Sequence, residues 1–340
     1  MADATLEQQL GRLVADGFAG VVRLDVRGET ILRAGFGLAD RARQLPMTAE
    51  TRLGIASGSK VLTALAVLSL VEEGVISLST TARSLLGDDL TLVGDDVTVE
   101  HLLSHRSGIG DYLDEDTDLD VSDYLTVSVH RLDRTEAFVE LLDGHPAKFS
   151  AGTDFSYCNS GFVILGLLAE RASGTPYHQL VEERVCTPAG LSATGFPRSD
   201  DLPGDATLGY VEVDGRWRTN VFHLPVRGAG DGGAFTTVDD MHTFWSALLA
   251  GRIVSDGTVQ DMLRPRSDPD ESGATYGLGV WLDPSDGSLQ LIGEDAGASF
   301  TTVHLPRDQV TWTVMANTAG GAWPAHRAVT EHVRRVPRVG

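Results

Sequence analysis

The stretch Val61 to Val71 carries no charge, and the residue immediately before it is a lysine. Such a run reads as a helix buried on all sides, starting near Ser57, reaching Glu73 and stopped by Gly74. Lys60 is one of only two lysines in the chain, Lys148 being the other; arginine supplies the remaining basic charge. A lysine at the mouth of a buried helix is poorly placed as a cation, because desolvation and the positive end of the helix dipole both disfavour the ammonium. Its pKa is expected to fall, and a neutral amine can accept a proton. Ser57 lies at i−3 from Lys60, on the same helix face. A serine hydroxyl is a weak nucleophile until a base takes its proton. The stretch Ser57-Gly58-Ser59-Lys60 therefore offers nucleophile and base within one turn. The competing reading makes Ser57 a helix cap and Lys60 a first-turn surface residue.

The rest of the chain sorts into strand-rich ends and a helical middle. Thr5 to Asp16 sets Leu6, Leu10, Leu13 and Val14 on one helix side. Gly20 to Val26 and Glu29 to Gly37 are strand-like and meet at Arg27-Gly28, a hairpin signal. Thr51 to Ala56 is a short extended lead into Ser57. From Thr80 to Pro225 helices and loops dominate, with Val99 to Ser104, Arg134 to Leu142 and Gly161 to Ala172 helical and Asp111 to Asp123 an acidic surface loop. After Gly228 the strand pattern returns at Tyr276 to Leu282, Leu289 to Gly293, Ser299 to Leu305 and Thr311 to Asn317, with helices at Val238 to Leu249 and Pro324 to Arg335. The pattern predicts an α+β fold, one antiparallel sheet flanked by helices. Residues 1–80 and 226–340 build the sheet, residues 81–225 form an inserted, mainly helical unit, and the site lies in the cleft between them.

A formal net charge of −21 argues against nucleic acid or an anionic membrane surface as partner. The longest apolar run is too short to span a bilayer, and Met1 to Glu7 has no basic or apolar leader segment. Two cysteines, Cys158 and Cys186, make no disulfide framework. These features predict a cytoplasmic protein acting on a small molecule. His101 and His105 are spaced i, i+4 but lack a third ligand. The run Asp114 to Asp120 lacks the glycine and terminal glutamate of a calcium loop. No metal and no organic cofactor is expected.

Partners for Ser57 and Lys60 are sought in Phe155-Ser156-Tyr157-Cys158-Asn159-Ser160-Gly161, between a glycine-containing loop and a helix. Tyr157 can carry a proton and Asn159 can hydrogen-bond an amide or ester carbonyl, while Cys158 reads as a small filler facing away. With these residues the chain resembles the serine β-lactamase-like superfamily, in the branch of class C β-lactamases, D-aminopeptidases and family VIII esterases. Ser57 to Lys60 resembles its S-x-x-K, Tyr157 to Asn159 its Y-x-N, and His101 to Ile109 its H-L-L-x-H-x-S-G segment. Gly228 to Asp240 and Tyr276 to Trp281 resemble its glycine-rich approach to a late helix and the strand that follows.

The resemblance implies an acyl-enzyme on Ser57, with Lys60 and Tyr157 sharing acid–base duty and Asn159 holding the acyl-side carbonyl or Lys60. The third motif departs. Where the family has K-T-G or H-x-G, this chain reads Gly293-Glu294-Asp295-Ala296-Gly297. With Glu294 at the basic position and Ala296 at the glycine, Gly297 supplies the backbone N–H that completes an oxyanion hole with Ser57. Glu294 and Asp295 would repel a substrate carboxylate, which argues against penicillins and D-Ala-D-Ala peptides. The reading is an esterase-like serine hydrolase. The alternatives are an acyltransferase on the same machinery, a D-aminopeptidase-like amidase that seats an ammonium on Glu294 or Asp295, and a binding protein that keeps the fold without catalysis. Oligomeric state stays open.

Overall fold

The structure, a computed structural model, describes residues 4–115, 125–270 and 272–335, with side chains from Thr5. The acidic run beyond Glu115, read above as a solvated loop, lies outside the described residues.

Both chain ends meet in one sheet. Strands β1 (Gly20–Val26), β2 (Glu29–Phe36), β3 (Thr275–Tyr276), β4 (Trp281–Asp283), β5 (Ser288–Asp295), β6 (Ala298–Leu305) and β7 (Val310–Ala316) form a seven-stranded sheet in the order β2-β1-β7-β6-β5-β4-β3. Every neighbouring pair is antiparallel. The β1–β2 hairpin turns at Arg27-Gly28, both left-handed, with φ of 53° and 82°. That backbone matches the twist of the flanking strands. The register Gly20↔Ala316 to Val26↔Val310 then ties the two ends of the chain together.

The sheet is covered on both faces, as an alternating apolar pattern requires. On the outer face Val22, Leu24, Leu32, Trp312 and Val314 pack under helices α1 (Ala4–Leu13) and α5 (Ala322–Arg335), which contribute Leu6, Leu10, Ala325 and Val329. The inner face presents Val21, Leu291, Phe300 and Met315 to a continuous apolar cluster that runs through α2 (Lys60–Glu72), α3 (Asn159–Ser173) and α4 (Val238–Leu249) into residues 97–113 and 127–142. α2 is buried on every side from Lys60 to Leu70. Among the described residues no helix is long and apolar enough to cross a membrane.

Three segments differ from expectation. Tyr276 to Leu282 is not one strand: the chain leaves the sheet between β3 and β4, and Gly279, at φ 86°, brings its backbone onto Ala64 and Lys60 of α2. Arg134 to Leu142 splits into a 3₁₀ turn, Thr135–Phe138, and a short helix, Val139–Leu142. The helical middle also holds a hairpin, Tyr210–Val213 with Arg216–Thr219, turning at left-handed Asp214-Gly215.

Candidate active site

Ser57 sits in a 3₁₀ turn, Ala56–Ser59, that leads directly into α2. Ala56 before it is left-handed, with φ of 46°, a conformation that costs a non-glycine residue energy unless its surroundings impose it. The surroundings do. Ser59 Oγ donates to the Ala56 carbonyl at 2.7 Å and accepts the Ala234 N–H at 2.9 Å, and the Gly58 N–H donates to Ile55 O at 2.8 Å. The hydroxyl of Ser57 is thereby presented to a cavity of about 530 Å³.

Lys60 is only 2% exposed. Its Nζ lies 2.9 Å from Ser57 Oγ, 2.7 Å from Asn159 Oδ1 and 2.9 Å from the Asp231 carbonyl oxygen. Asn159 is oriented by its own donors, since Nδ2 reaches Leu113 O at 2.9 Å and Glu115 Oε1 at 3.2 Å. Burial lowers the Lys60 pKa, and the Asp231, Glu115 and Asp111 carboxylates pull the other way. Stripping water from an ammonium costs several kcal/mol. A neutral amine has two N–H donors and one lone pair. Asn159 Oδ1 and Asp231 O are acceptors only, so once the amine is neutral its two donors go to them and the lone pair is left to the Ser57 hydroxyl; as the ammonium it donates to all three, Ser57 Oγ included.

The Tyr157 hydroxyl is hydrogen-bonded to Ser57, and burial holds its pKa well above the ordinary phenol value, with Glu115 pushing the same way. The Tyr157 ring stacks on Trp281 at 6.3 Å and 13°, lies 4.3 Å from the His105 ring, and has Lys60 Nζ 4.8 Å from its centre. Ser57, Lys60, Tyr157 and Asn159 are therefore one contact set.

Asp111 was expected on the surface and is buried. Its carboxylate accepts the N–H groups of Asn159 at 2.7 Å and Ser160 at 2.8 Å, the open first turn of α3. Burial raises its pKa against these bonds. Asp111→Ala leaves those amides without partners and is expected to cost about 2–3 kcal/mol in chemical denaturation. An unchanged denaturation midpoint would contradict the capping role. The sequence signal was its place directly after the Ser107-to-Gly110 break rather than inside the acidic run.

The third segment is arranged differently from its expected register. Ala296 and Gly297 make the turn between β5 and β6, closing on the pair Asp295↔Ala298. Gly297, at φ 76°, packs on Gly209, Tyr210 and Asn220. The strand glycine against the nucleophile is Gly293, where an added Cβ would lie 2.1 Å from Ile55 O, 2.7 Å from Gly58 N and 2.9 Å from Ser57 N. The Glu294 side chain is exposed and accepts a hydrogen bond from Trp323 Nε1 of α5. Asp295 does line the Ser57 cavity; its Oδ1 accepts the Ala296 N–H at 2.8 Å, and burial pushes its pKa up to about 7. Asp114, Glu115, Glu294 and Asp295 border this cavity, and among the described residues no arginine, lysine or histidine lines it. Asp114 is paired with Lys148 at 2.7 Å.

Other candidates take structural places. Cys158 is 4% exposed, and its Sγ accepts the Gly161 N–H at 3.4 Å. His101 closes a capping box with Thr98.

A family model described as Beta-lactamase matches residues 3–333. The crystal structure of a penicillin binding protein from Bacillus halodurans superimposes with a TM-score of 0.90 at 33% identity, covering 96% of this chain and 99% of that one. The putative penicillin-binding protein PbpX of Bacillus subtilis (strain 168) is 26% identical over 79% of this chain. A D-aminopeptidase of Brucella ovis is 27% identical over 90% of this chain. The chain spans only 63% and 57% of the lengths of these two curated relatives.

Proposed function

The chain belongs to the beta-lactamase family and is a serine hydrolase of that kind; from this premise we propose that it cleaves an ester or amide through an acyl-enzyme on Ser57. The observation that carries the reading is the set of partners of Lys60. Two of the three are pure acceptors, so when the amine is neutral its lone pair is left for the Ser57 hydroxyl.

In this reading Ser57 Oγ attacks the carbonyl carbon while its proton passes to Lys60 Nζ. Charge develops on the carbonyl oxygen and is met by the backbone N–H groups of Ser57 and Glu294. β4 pairs with β5 only as far as Gln290, so the β5 edge beyond it is open. Amides alternate edges along an antiparallel strand, and Glu294 shares the edge of Gln290. Gly293 beside it lets the strand approach the Ser57 amide. The tetrahedral intermediate collapses, and the leaving group takes a proton through Tyr157, whose raised pKa keeps it a phenol. Tyr157 regains its proton from Lys60. Water then attacks the acyl-Ser57 ester with Lys60 again as base, releasing the acid.

The test is an acid quench after mixing with a short-chain p-nitrophenyl ester, followed by mass analysis of the Ser57 peptide. An acyl adduct on Ser57, with a burst of nitrophenol, is expected. An adduct elsewhere, or none during turnover, would remove the reading.

The carboxylate-bordered cavity favours a more specific substrate class, amides or esters bearing a nearby ammonium. A relative named D-aminopeptidase fits the same direction. Because the Glu294 side chain is held by Trp323, Asp114 by Lys148 and Glu115 by Asn159 Nδ2, Asp295 carries this selectivity. Its carboxyl is protonated below its raised pKa of about 7 and anionic above it. The preference for D-alanine p-nitroanilide over its N-acetyl derivative is therefore expected to rise from about pH 6 to about pH 8, and Asp295→Asn to flatten that rise. A rise that persists in Asp295→Asn would assign the preference to another group.

A further inference from the structure

We infer that His105 is the positioning residue for Tyr157, clamping it from both sides through the backbone. The inference rests on the proposed Ser57 chemistry. The Ser156 N–H donates to the His105 carbonyl at 3.0 Å, and the Cys158 N–H donates to His105 Nδ1 at 3.0 Å. The amides immediately before and after Tyr157 are thus held by one residue. The same imidazole lies 4.3 Å from the Tyr157 ring, 4.9 Å from Phe162 and 4.6 Å from Tyr276. Backbone and ring of Tyr157 are consequently fixed by the main chain, ring nitrogen and ring of a single residue.

The conformation of His105 itself supports a dedicated place. It is 1% exposed and left-handed, with φ of 56°. Left-handed backbone is uncommon for non-glycine residues, with asparagine, aspartate and histidine adopting it most readily, and in a buried residue it is held by packing. Accepting from Cys158 puts the ring proton of a neutral imidazole on Nε2, which has no hydrogen-bond partner among the described residues. Burial and the nearby Lys60 hold the imidazole pKa well below its ordinary value. A charged ring would have to donate from both nitrogens and give up the Cys158 amide. His105 therefore acts neither as base nor as acid toward substrate, and its effect on turnover passes through Tyr157.

Two variants separate the parts of the clamp. His105→Phe keeps an aromatic ring and removes the acceptor. His105→Asn places a carbonyl oxygen on Cγ, where histidine carries Nδ1, and asparagine tolerates the left-handed backbone. With a p-nitrophenyl ester, H105F is expected to lower kcat on the order of 10²-fold with KM changed by no more than about threefold. H105N should recover most of that loss. In a Tyr157→Phe background the further loss from H105F should shrink to about threefold or less, because the hydroxyl being positioned is already gone. Equal fold-losses in both backgrounds, or H105N as impaired as H105F, would overturn the inference. If H105F does not fold, the cycle is run with H105N, whose residual loss must likewise vanish without the Tyr157 hydroxyl. Ser57→Ala tells the two failures apart. Activity that survives Ser57→Ala retires the serine reading, whereas multiplicative losses alongside an inactive Ser57→Ala retire only the role given to His105.

Discussion

Ser57→Ala is expected to lower ester turnover by roughly 10⁴–10⁶-fold, and Lys60→Met to lower it nearly as far. The double variant should be no worse than Ser57→Ala alone, since a base without its nucleophile has nothing to activate. Methionine fills the buried channel of Lys60 but strands two acceptors, Asn159 Oδ1 and the Asp231 carbonyl. Their desolvation costs about 1–3 kcal/mol each, offset by removing a buried amine, so the melting temperature is measured alongside. The pH profile separates the roles. Burial lowers the Lys60 pKa, so the neutral amine forms at a pH below the ordinary lysine range. As pH rises through that lowered value the base is released and kcat/KM rises; as pH falls the amine is protonated and activity is lost. That acid limb should be absent from the residual activity of Lys60→Met. Equal activity in wild type and Ser57→Ala would instead favour a fold kept for binding.

The legible part of this protein is the part whose residues act through type and local spacing. Ser57 and Lys60 are adjacent on one turn, so S-x-x-K could be read as a pair before any contact was known. Tyr157 and Asn159 were legible because both entered one short loop before a helix. The sheet was legible through alternation and the Arg27-Gly28 turn, and the two ends of the chain do meet in it. What stayed hidden depends on register and burial. Counting along the strand puts Gly297 at the oxyanion position, but the sequence does not fix where that strand turns, and Ala296 and Gly297 form the turn itself. One glycine in a strand looks like another until a neighbour's backbone is placed against it, as Ile55 and Ser57 are against Gly293. Asp111 reads together with the acidic residues after it, because charge alone cannot distinguish a solvated carboxylate from one that caps a buried helix. Tyr276 to Trp281 read as a strand because its residues favour one, but α2 draws Gly279 out of the sheet plane.

Gly293→Ala is expected to reduce kcat by about 10²–10³-fold while leaving the protein folded. An alanine Cβ here would sit 2.1 Å from Ile55 O and under 3 Å from the amides of Ser57 and Gly58. All three obstacles are backbone, so no rotamer change relieves the overlap; either β5 or the Ala56–Ser59 turn has to move. Overpacking of this kind costs about 1–3 kcal/mol of stability. A displacement of even about 1 Å would withdraw an oxyanion donor from its place, and one such donor is worth about 10²–10³-fold in kcat. KM should change little, because the lost interaction is with charge that exists only in the transition state. Two controls bracket the result. Gly54→Ala, close to the nucleophile in sequence, places its Cβ no nearer than 3.8 Å to any neighbour and should retain activity. Glu294→Ala removes an exposed side chain but keeps the backbone N–H, so kcat should stay within about threefold of wild type. If Gly293→Ala matched wild type, the close approach of β5 to Ser57 would be packing alone, and the second donor would have to be sought elsewhere on the cleft wall. If Glu294→Ala lost activity as severely as Gly293→Ala, the carboxylate itself, through Trp323, would be what holds the strand edge in place.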